Sequence, residues 1–309
     1  MQEWVLFIRL LGDSLRCHIE RLTGPPGRQT RSRQPARGDR LSTGCSPGGL
    51  GRIRRVGQPE ALIYRLVLWN IDLTLVDVAR VSREAYADAF RRVTGRPLVA
   101  LPQTAGRTDS EIFFEALALN EARRGPAADR GDGGAQELLD RYTRVLAAAF
   151  SARRNLLAAQ GRALPGARQA VAAVASLPGV IQSVLTGTIR PNAAAKLRAF
   201  GMDRFFDLQI GGFGSEIYPK GAQLLRARGR AVEKYGADVG PDSTVYVADS
   251  SRDVEAARIG GARCVAVASG RWTVGELRDA GADIVLDDLV DTARVCRAVD
   301  RLTSPVSAG

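Results

Sequence analysis

Histidine is almost missing from this 309-residue chain, which has only His18. A Ser-His-Asp triad, a His-Cys pair or a multi-histidine metal centre would each need that one residue. It sits in a stretch with no sign of a packed fold, which argues against all three. The four cysteines, Cys17, Cys45, Cys264 and Cys296, lie far apart and form no C-x-x-C pair. Neither a disulfide framework nor a cysteine-based zinc site is therefore expected. A metal in such a chain would be held by oxygen ligands, which favours Mg²⁺. Long apolar runs are absent too, and none approaches the roughly 20 residues that cross a bilayer. Trp4 to Leu11 has the look of a signal-peptide core, but Glu3 precedes it and Arg9 interrupts it. The expected setting is cytoplasmic, with no membrane partner.

Charge is not in short supply: the net value is +11. It is unevenly placed, because residues 1–60 carry 11 arginines against 5 acids. From Gly24 to Pro59 there is no aromatic residue, and Gly, Pro, Arg, Ser and Gln dominate. Such a composition cannot bury enough surface to offset its ordering entropy, so residues 1–60 read as a disordered tail. An arginine-rich arm for nucleic acid is one reading of it. A solvated extension is the other, favoured because no aromatics interleave the arginines for base stacking.

Beyond the tail the pattern is ordered. Leu66-Val67-Leu68-Trp69 is a short apolar run that ends abruptly in Asn70-Ile71-Asp72-Leu73-Thr74. It reads as a buried parallel strand, with its polar residues at the carboxyl edge where open α/β sheets do their chemistry. Helical spacing follows over Val81 to Val93, Ser110 to Leu119 and Ala135 to Gln160, with a polar loop over Arg123 to Gly134. Strands are expected at Val180 to Leu185, Asp207 to Ile210, Val245 to Val247, Cys264 to Ala268 and Ile284 to Leu286. Helices separate them over Ala167 to Ser176, Pro191 to Phe200, Gly221 to Tyr235 and from Val254. Alternation of this kind predicts an α/β fold with a doubly wound parallel sheet. The expected division is a core of residues 61–80 and 163–300, with a separate helical segment over 81–162.

Four polar clusters follow four of these strands, and their order and spacing resemble the haloacid dehalogenase superfamily over about Leu62 to Leu289. The nearest resemblance is to its phosphoglycolate phosphatase-like branch, through the helical segment and its Gly106-Arg107-Thr108-Asp109. The resemblance implies a Rossmann-like core with a helical cap of the C1 type. It also implies Mg²⁺ as cofactor, a small phosphorylated substrate, and a monomer or homodimer. Asp72 matches the general acid/base, and Asp249 and Asp253 match the carboxylates that hold the cation with the Asp72 backbone carbonyl. Thr186 and Gly187 match the phosphate-binding pair, and Lys220 the cation that neutralises phosphate, with Arg226 and Arg228 as rivals. Arg107 and Thr108 would be the cap's substrate contacts. Plainer readings stand beside these: a turn aspartate for Asp72, helix capping for Asp249 and Asp253, surface positions for the basic residues.

The departure is Asn70, which stands where the family has its nucleophilic aspartate. A carboxamide is neutral, weakly nucleophilic and a poorer Mg²⁺ ligand than a carboxylate. Two readings follow: a Mg²⁺-dependent phosphomonoesterase, or a protein that keeps the phosphate pocket without turnover.

Overall fold

The computed structural model describes residues 64–122, 134–215, 219–236 and 239–303. The arginine-rich tail, His18, Cys17, Cys45 and most of the expected 123–134 loop lie outside them. Strand β1 (Arg65–Trp69) is the centre of the fold, and its side chains alternate between two apolar layers. Val67 and Trp69 face one layer, Leu66 and Leu68 the other, and all four are fully buried. Such two-sided burial is what the continuous apolar run requires.

The chain leaves β1 through Asn70 to Leu75 and makes a two-residue strand, β2 (Val76–Asp77). Four helices follow: α1 (Ala79–Thr94), α2 (Asp109–Ala122), α3 (Ala135–Ser151) and α4 (Leu156–Gln160). Strand β3 (Arg162–Ala163) then pairs antiparallel with β2, so the segment starts and finishes at one small ladder. Helix α1 is amphipathic, burying Val81, Ala85, Tyr86, Ala89, Phe90 and Val93. It ends at Gly95, whose φ of 70° lets its N–H reach back to the Arg91 carbonyl.

Helix α5 (Ala167–Ala175), strand β4 (Val180–Val184) and helix α6 (Arg190–Ala199) restore the α/β alternation. Helix α7 (Lys220–Tyr235), strand β5 (Thr244–Ala248), helix α8 (Ser251–Gly260) and strand β6 (Arg263–Val267) continue it. Helix α9 (Val274–Asp279), strand β7 (Ile284–Leu286) and helix α10 (Thr292–Thr303) complete the described chain. The sheet order is β4-β1-β5-β6-β7, and every neighbouring pair is parallel. This is the doubly wound sheet expected from the sequence. Helices α7, α8 and α9 contribute Leu224, Val254 and Leu277 to one face. On the other face one continuous apolar cluster runs from Trp69 to Phe113, Tyr142 and Phe150 of the helical segment. The helices over 81–162 thus pack into the core, and they belong with the sheet to one compact unit.

Three local expectations need correcting. Residues 135–160 are not one helix. The Arg153 guanidinium takes the Ala149 carbonyl at 2.8 Å and pairs with Asp88 of α1, and the chain turns there before α4. Asp207 to Ile210 is a turn, closed by the Asp207 carboxylate accepting from the Gln209 N–H at 3.0 Å. Strand pairing there is confined to Gly212, which bridges to Leu185. Helix α8 begins three residues earlier than Val254 and is capped by Ser250, so Asp253 lies inside its first turn. No helix among the described residues is long and apolar enough to cross a membrane.

Candidate active site

Parallel winding brings the ends of β1, β4 and β5 side by side, and a cavity of about 600 Å³ opens over them. Asn70, Asp72, Thr186, Gly187, Lys220 and Asp249 all line it, as do Arg107 and Asp109 from the helical side. The turn after β1 is tight. Leu73 is the one non-glycine residue with positive φ, 61°, among those described. Its N–H donates to the Val76 carbonyl, and Ser269 Oγ donates to its own carbonyl at 2.7 Å. An L-residue held in the left-handed region costs about 1 kcal/mol or more, and such strain concentrates at functional turns.

Asn70 is buried, and its Nδ2 donates to three oxygens. They are the Asp72 carbonyl at 2.9 Å, Thr74 Oγ1 at 3.2 Å and Asp249 Oδ1 at 2.8 Å. Turning the amide over would set its own oxygen against a carbonyl and a carboxylate, so the network fixes its orientation. Thr74 Oγ1 also donates to Asp249 Oδ1, at 2.8 Å. Burial, with Asp253 nearby, pushes the Asp249 carboxyl up to about 7, against the opposing pull of these donors and Lys220.

Asp253 is completely buried and does not line the cavity. Its oxygens are taken by Lys220 Nζ at 2.7 Å, by the Tyr246 hydroxyl at 2.8 Å and by the Ser250 hydroxyl. Lys220 reaches the cavity wall from the first residue of α7. Its rivals do not. Arg226 is exposed off the cavity, and Arg228 caps the end of α8 through the Gly260 and Gly261 carbonyls. Thr186 lies at the end of β4 with its Oγ1 accepting from the Thr188 N–H.

The helical side meets the sheet edge backbone to backbone. The Asp109 N–H donates to the Gly187 carbonyl at 2.7 Å, and Ser110 Oγ donates to the Gly214 carbonyl at 2.8 Å. A Cβ on Gly187 would lie 1.8 Å from the Arg107 carbonyl oxygen, and one on Gly214 1.7 Å from the Gly187 oxygen. Only glycine allows this approach. Arg107 borders the cavity and pairs with Glu115. Thr108 does not reach the cavity. Its hydroxyl and N–H both bond Glu111, whose own N–H returns to Thr108 Oγ1, a reciprocal cap on α2.

The haloacid dehalogenase-like hydrolase family model matches residues 67–258, more than half the chain. The chain belongs to this hydrolase family. A second, HAD-hydrolase-like model matches residues 226–292. The probable phosphatase IndB of Dickeya dadantii (strain 3937) is 27% identical over 246 residues, covering 78% of this chain and 98% of that protein. A hydrolase from Pseudomonas syringae has a TM-score of 0.53 at 20% identity, covering 77% of this chain and 99% of its own. A predicted phosphoglycolate phosphatase from Haemophilus somnus 129PT has a TM-score of 0.51 at 20% identity, covering 75% and 97%. At those identities the two structures establish the shared fold.

Members of this hydrolase family generally use Mg²⁺, so the donor set needs testing against that cation. A hard dication of this size takes six oxygens in near-octahedral geometry, several of them from water, with one or two carboxylates whose oxygens must be free to point at it. Here the Asp72 carbonyl and Asp249 Oδ1 already face the same NH₂ group, and Asp253 is spent behind Lys220. Asp249 Oδ2 stays open, with Gly270 packed so close that a Cβ there would lie 2.2 Å away. Among the described residues no three His, Cys, Asp or Glu side chains gather as a metal site. The residues do not fit a resident Mg²⁺.

Two buried side chains beside the cavity had no role assigned from the sequence. Lys196 of α6 is buried, and its Nζ lies 2.8 and 2.7 Å from the two Asp72 oxygens and 2.9 Å from Thr188 Oγ1. The ring of Phe150 from α3 lies 5.5 Å from the same ammonium. Asp109 is the second. It is buried, accepts from the Tyr86 hydroxyl at 2.6 Å and the Ile189 N–H at 2.8 Å, and burial raises its carboxyl above the ordinary value.

Proposed function

We propose that the cavity binds a small phosphate monoester and that the chain is a phosphomonoesterase of phosphoglycolate phosphatase type. The observation that carries this is the meeting of Asp72, Thr186, Gly187 and Lys220 around Asn70 in one cavity. Phosphoryl transfer asks mainly for positioning and charge stabilisation, and these groups can supply both. The Thr186 hydroxyl and Gly187 N–H hold phosphate oxygens. Lys220 neutralises charge at the wall, joined by Arg107 from the helical side, which acts as a cap. With no carboxylate at position 70 to take the phosphoryl group, water attacks phosphorus directly, and Asp72 takes the water proton and passes it to the leaving oxygen. Its carboxylate is oriented for this by Lys196 and Thr188. The Mg²⁺ dependence usual in the family is not matched by the donor set, so no step is routed through the cation.

One observation favours a second reading, in which the pocket binds a phosphorylated small molecule without turning it over. The covalent step of the family needs a carboxylate at position 70, and Asn70 is a carboxamide fixed by three hydrogen bonds. Losing an activated nucleophile costs up to about 10⁶ in kcat in the best-measured triad. The test compares the native chain with Asn70→Asp on an aryl phosphate and a panel of small phosphate esters, with and without Mg²⁺. Turnover by both supports the phosphatase reading. Turnover by Asn70→Asp alone, at least about 10³ faster, supports the binding reading. Failure of both to turn over or to bind inorganic phosphate refutes the assignment of the pocket.

A further inference from the structure

We infer that the Asn70 carboxamide takes the place of the divalent cation, so that the resting centre is complete without a metal. The inference rests on the family assignment of the motif positions, and its basis is the hydrogen bonding at residue 70. An NH₂ group and a metal ion make opposite demands on a neighbouring donor set from a carboxylate: both want oxygens converging on one point. Asn70 Nδ2 has that surrounding, with the Asp72 carbonyl at 2.9 Å, Asp249 Oδ1 at 2.8 Å and Thr74 Oγ1 at 3.2 Å. The first two are the oxygens that the family resemblance assigns to the cation. A dication approaching them would have to displace the amide protons and leave an amide oxygen, rather than a carboxylate, as its third ligand.

The charges around the centre agree with the geometry. Asp72 has its own cation in Lys196 at 2.7 Å, and Asp253 has Lys220 at 2.7 Å. Of the three carboxylates at the ends of β1 and β5, that leaves Asp249, whose Oδ1 accepts from two neutral donors, the Asn70 amide and the Thr74 hydroxyl. With a carboxylate at position 70 the same cluster would hold two negative charges pointing at each other across about 3 Å, with Lys220, already paired to Asp253, as the nearby counter-charge. Like charges at that distance cannot both stay ionised without a strong counter-charge. A dication would supply it. Replacing one carboxylate oxygen by NH₂ turns that repulsion into a hydrogen bond and removes the need for the metal.

The experiment uses the metal alone, without any phosphate, on the full chain. Mn²⁺ binding is followed by electron paramagnetic resonance, and Mg²⁺ by its effect on the melting temperature, for the native protein and Asn70→Asp. The native chain is expected to leave Mn²⁺ free at millimolar concentration and to melt unchanged in Mg²⁺. Asn70→Asp is expected to bind at least about 100-fold tighter, a loss typical of a damaged metal site seen in reverse. Native binding within about tenfold of the variant overturns the inference. So does the absence of binding in both, because the amide is then not what keeps the cation out. Should Asn70→Asp fail to fold, the Asn70 side-chain amide signals of the native chain decide by nuclear magnetic resonance. Unmoved by Mg²⁺ and unbroadened by Mn²⁺, they support the inference; broadened, they overturn it. Titration of the native chain with inorganic phosphate in the absence of metal reports separately on the phosphate pocket, so either reading can fail without the other.

Discussion

Asp72 and Lys196 form an ion pair whose two ends differ sharply in exposure, and this makes opposite substitutions unequal. The Lys196 side chain is 2% exposed, while that of Asp72 is 40% exposed. Asp72→Asn takes the direct ion pair from the buried ammonium and leaves it Thr188 Oγ1, the Phe150 ring and the more distant Asp109 carboxylate. Stranding one member of a fully buried pair costs about 3–5 kcal/mol. Solvent at the Asp72 end screens part of that, so about 2 kcal/mol is the expected loss. For a unit of this size that lowers Tm by roughly 4–8 °C. Lys196→Met does the reverse: it puts an apolar side chain of similar reach into the buried position and leaves a solvated carboxylate. Its expected cost is under about 1 kcal/mol. The double variant should resemble Lys196→Met alone, giving a coupling of at least about 1 kcal/mol. Denaturant and thermal unfolding followed by circular dichroism measure all three. If Lys196→Met destabilises as much as Asp72→Asn, the buried end is not what the pair stabilises, and the reasoning fails.

Two further outcomes follow from the same centre. Gly187→Ala would drive a Cβ to 1.8 Å from the Arg107 carbonyl oxygen. Backbone must move, so a loss above about 3 kcal/mol is expected, together with faster amide hydrogen exchange at Asp109 and Ile112; unchanged exchange there would count against the tight seam. Asp109 gives a pH dependence. Burial raises its carboxyl above the ordinary 3.8, so the folded state holds that proton more tightly than the unfolded state does. Its contribution to stability is greatest below the ordinary aspartate range and declines as pH rises through the raised value. Asp109→Asn should flatten that decline in urea midpoints measured across pH, and an unaltered slope would place the titration elsewhere.

The sheet was legible because each strand announces itself locally, as Leu66 to Trp69 and Val245 to Val247 do by being apolar on both faces. Asn70, Asp72, Thr186 and Asp249 were legible for the same reason, since each comes within three residues of a strand end, whereas Lys220 opens a helix with no strand directly before it. What failed turned on which partner a single side chain takes, near or far. Arg153 ends α3 by seizing a carbonyl, and Asp207 folds a would-be strand into a turn. Lys196 looks in sequence like a helix-surface lysine, and its partner Asp72 is 124 residues away. The helix-capping role of Thr108 was readable, because Thr108 and Glu111 have the spacing of a reciprocal cap. Conversely, the unusual character of Asn70 was visible in one letter, while the three oxygens that fix its orientation needed the folded chain.

The ladder between β2 and β3 pairs Val76 with Ala163 and Asp77 with Arg162. Exit and re-entry therefore lie one strand spacing apart, about 4.8 Å. Everything from Val78 to Gly161 is attached at a single port. The ladder therefore sets no length for the insertion, while Phe113, Tyr142 and Phe150 tie its helices to the sheet through the cluster they share with Trp69. Change in what the cavity admits is thus separable from change in the strand ends that hold Asn70, Thr186 and Asp249.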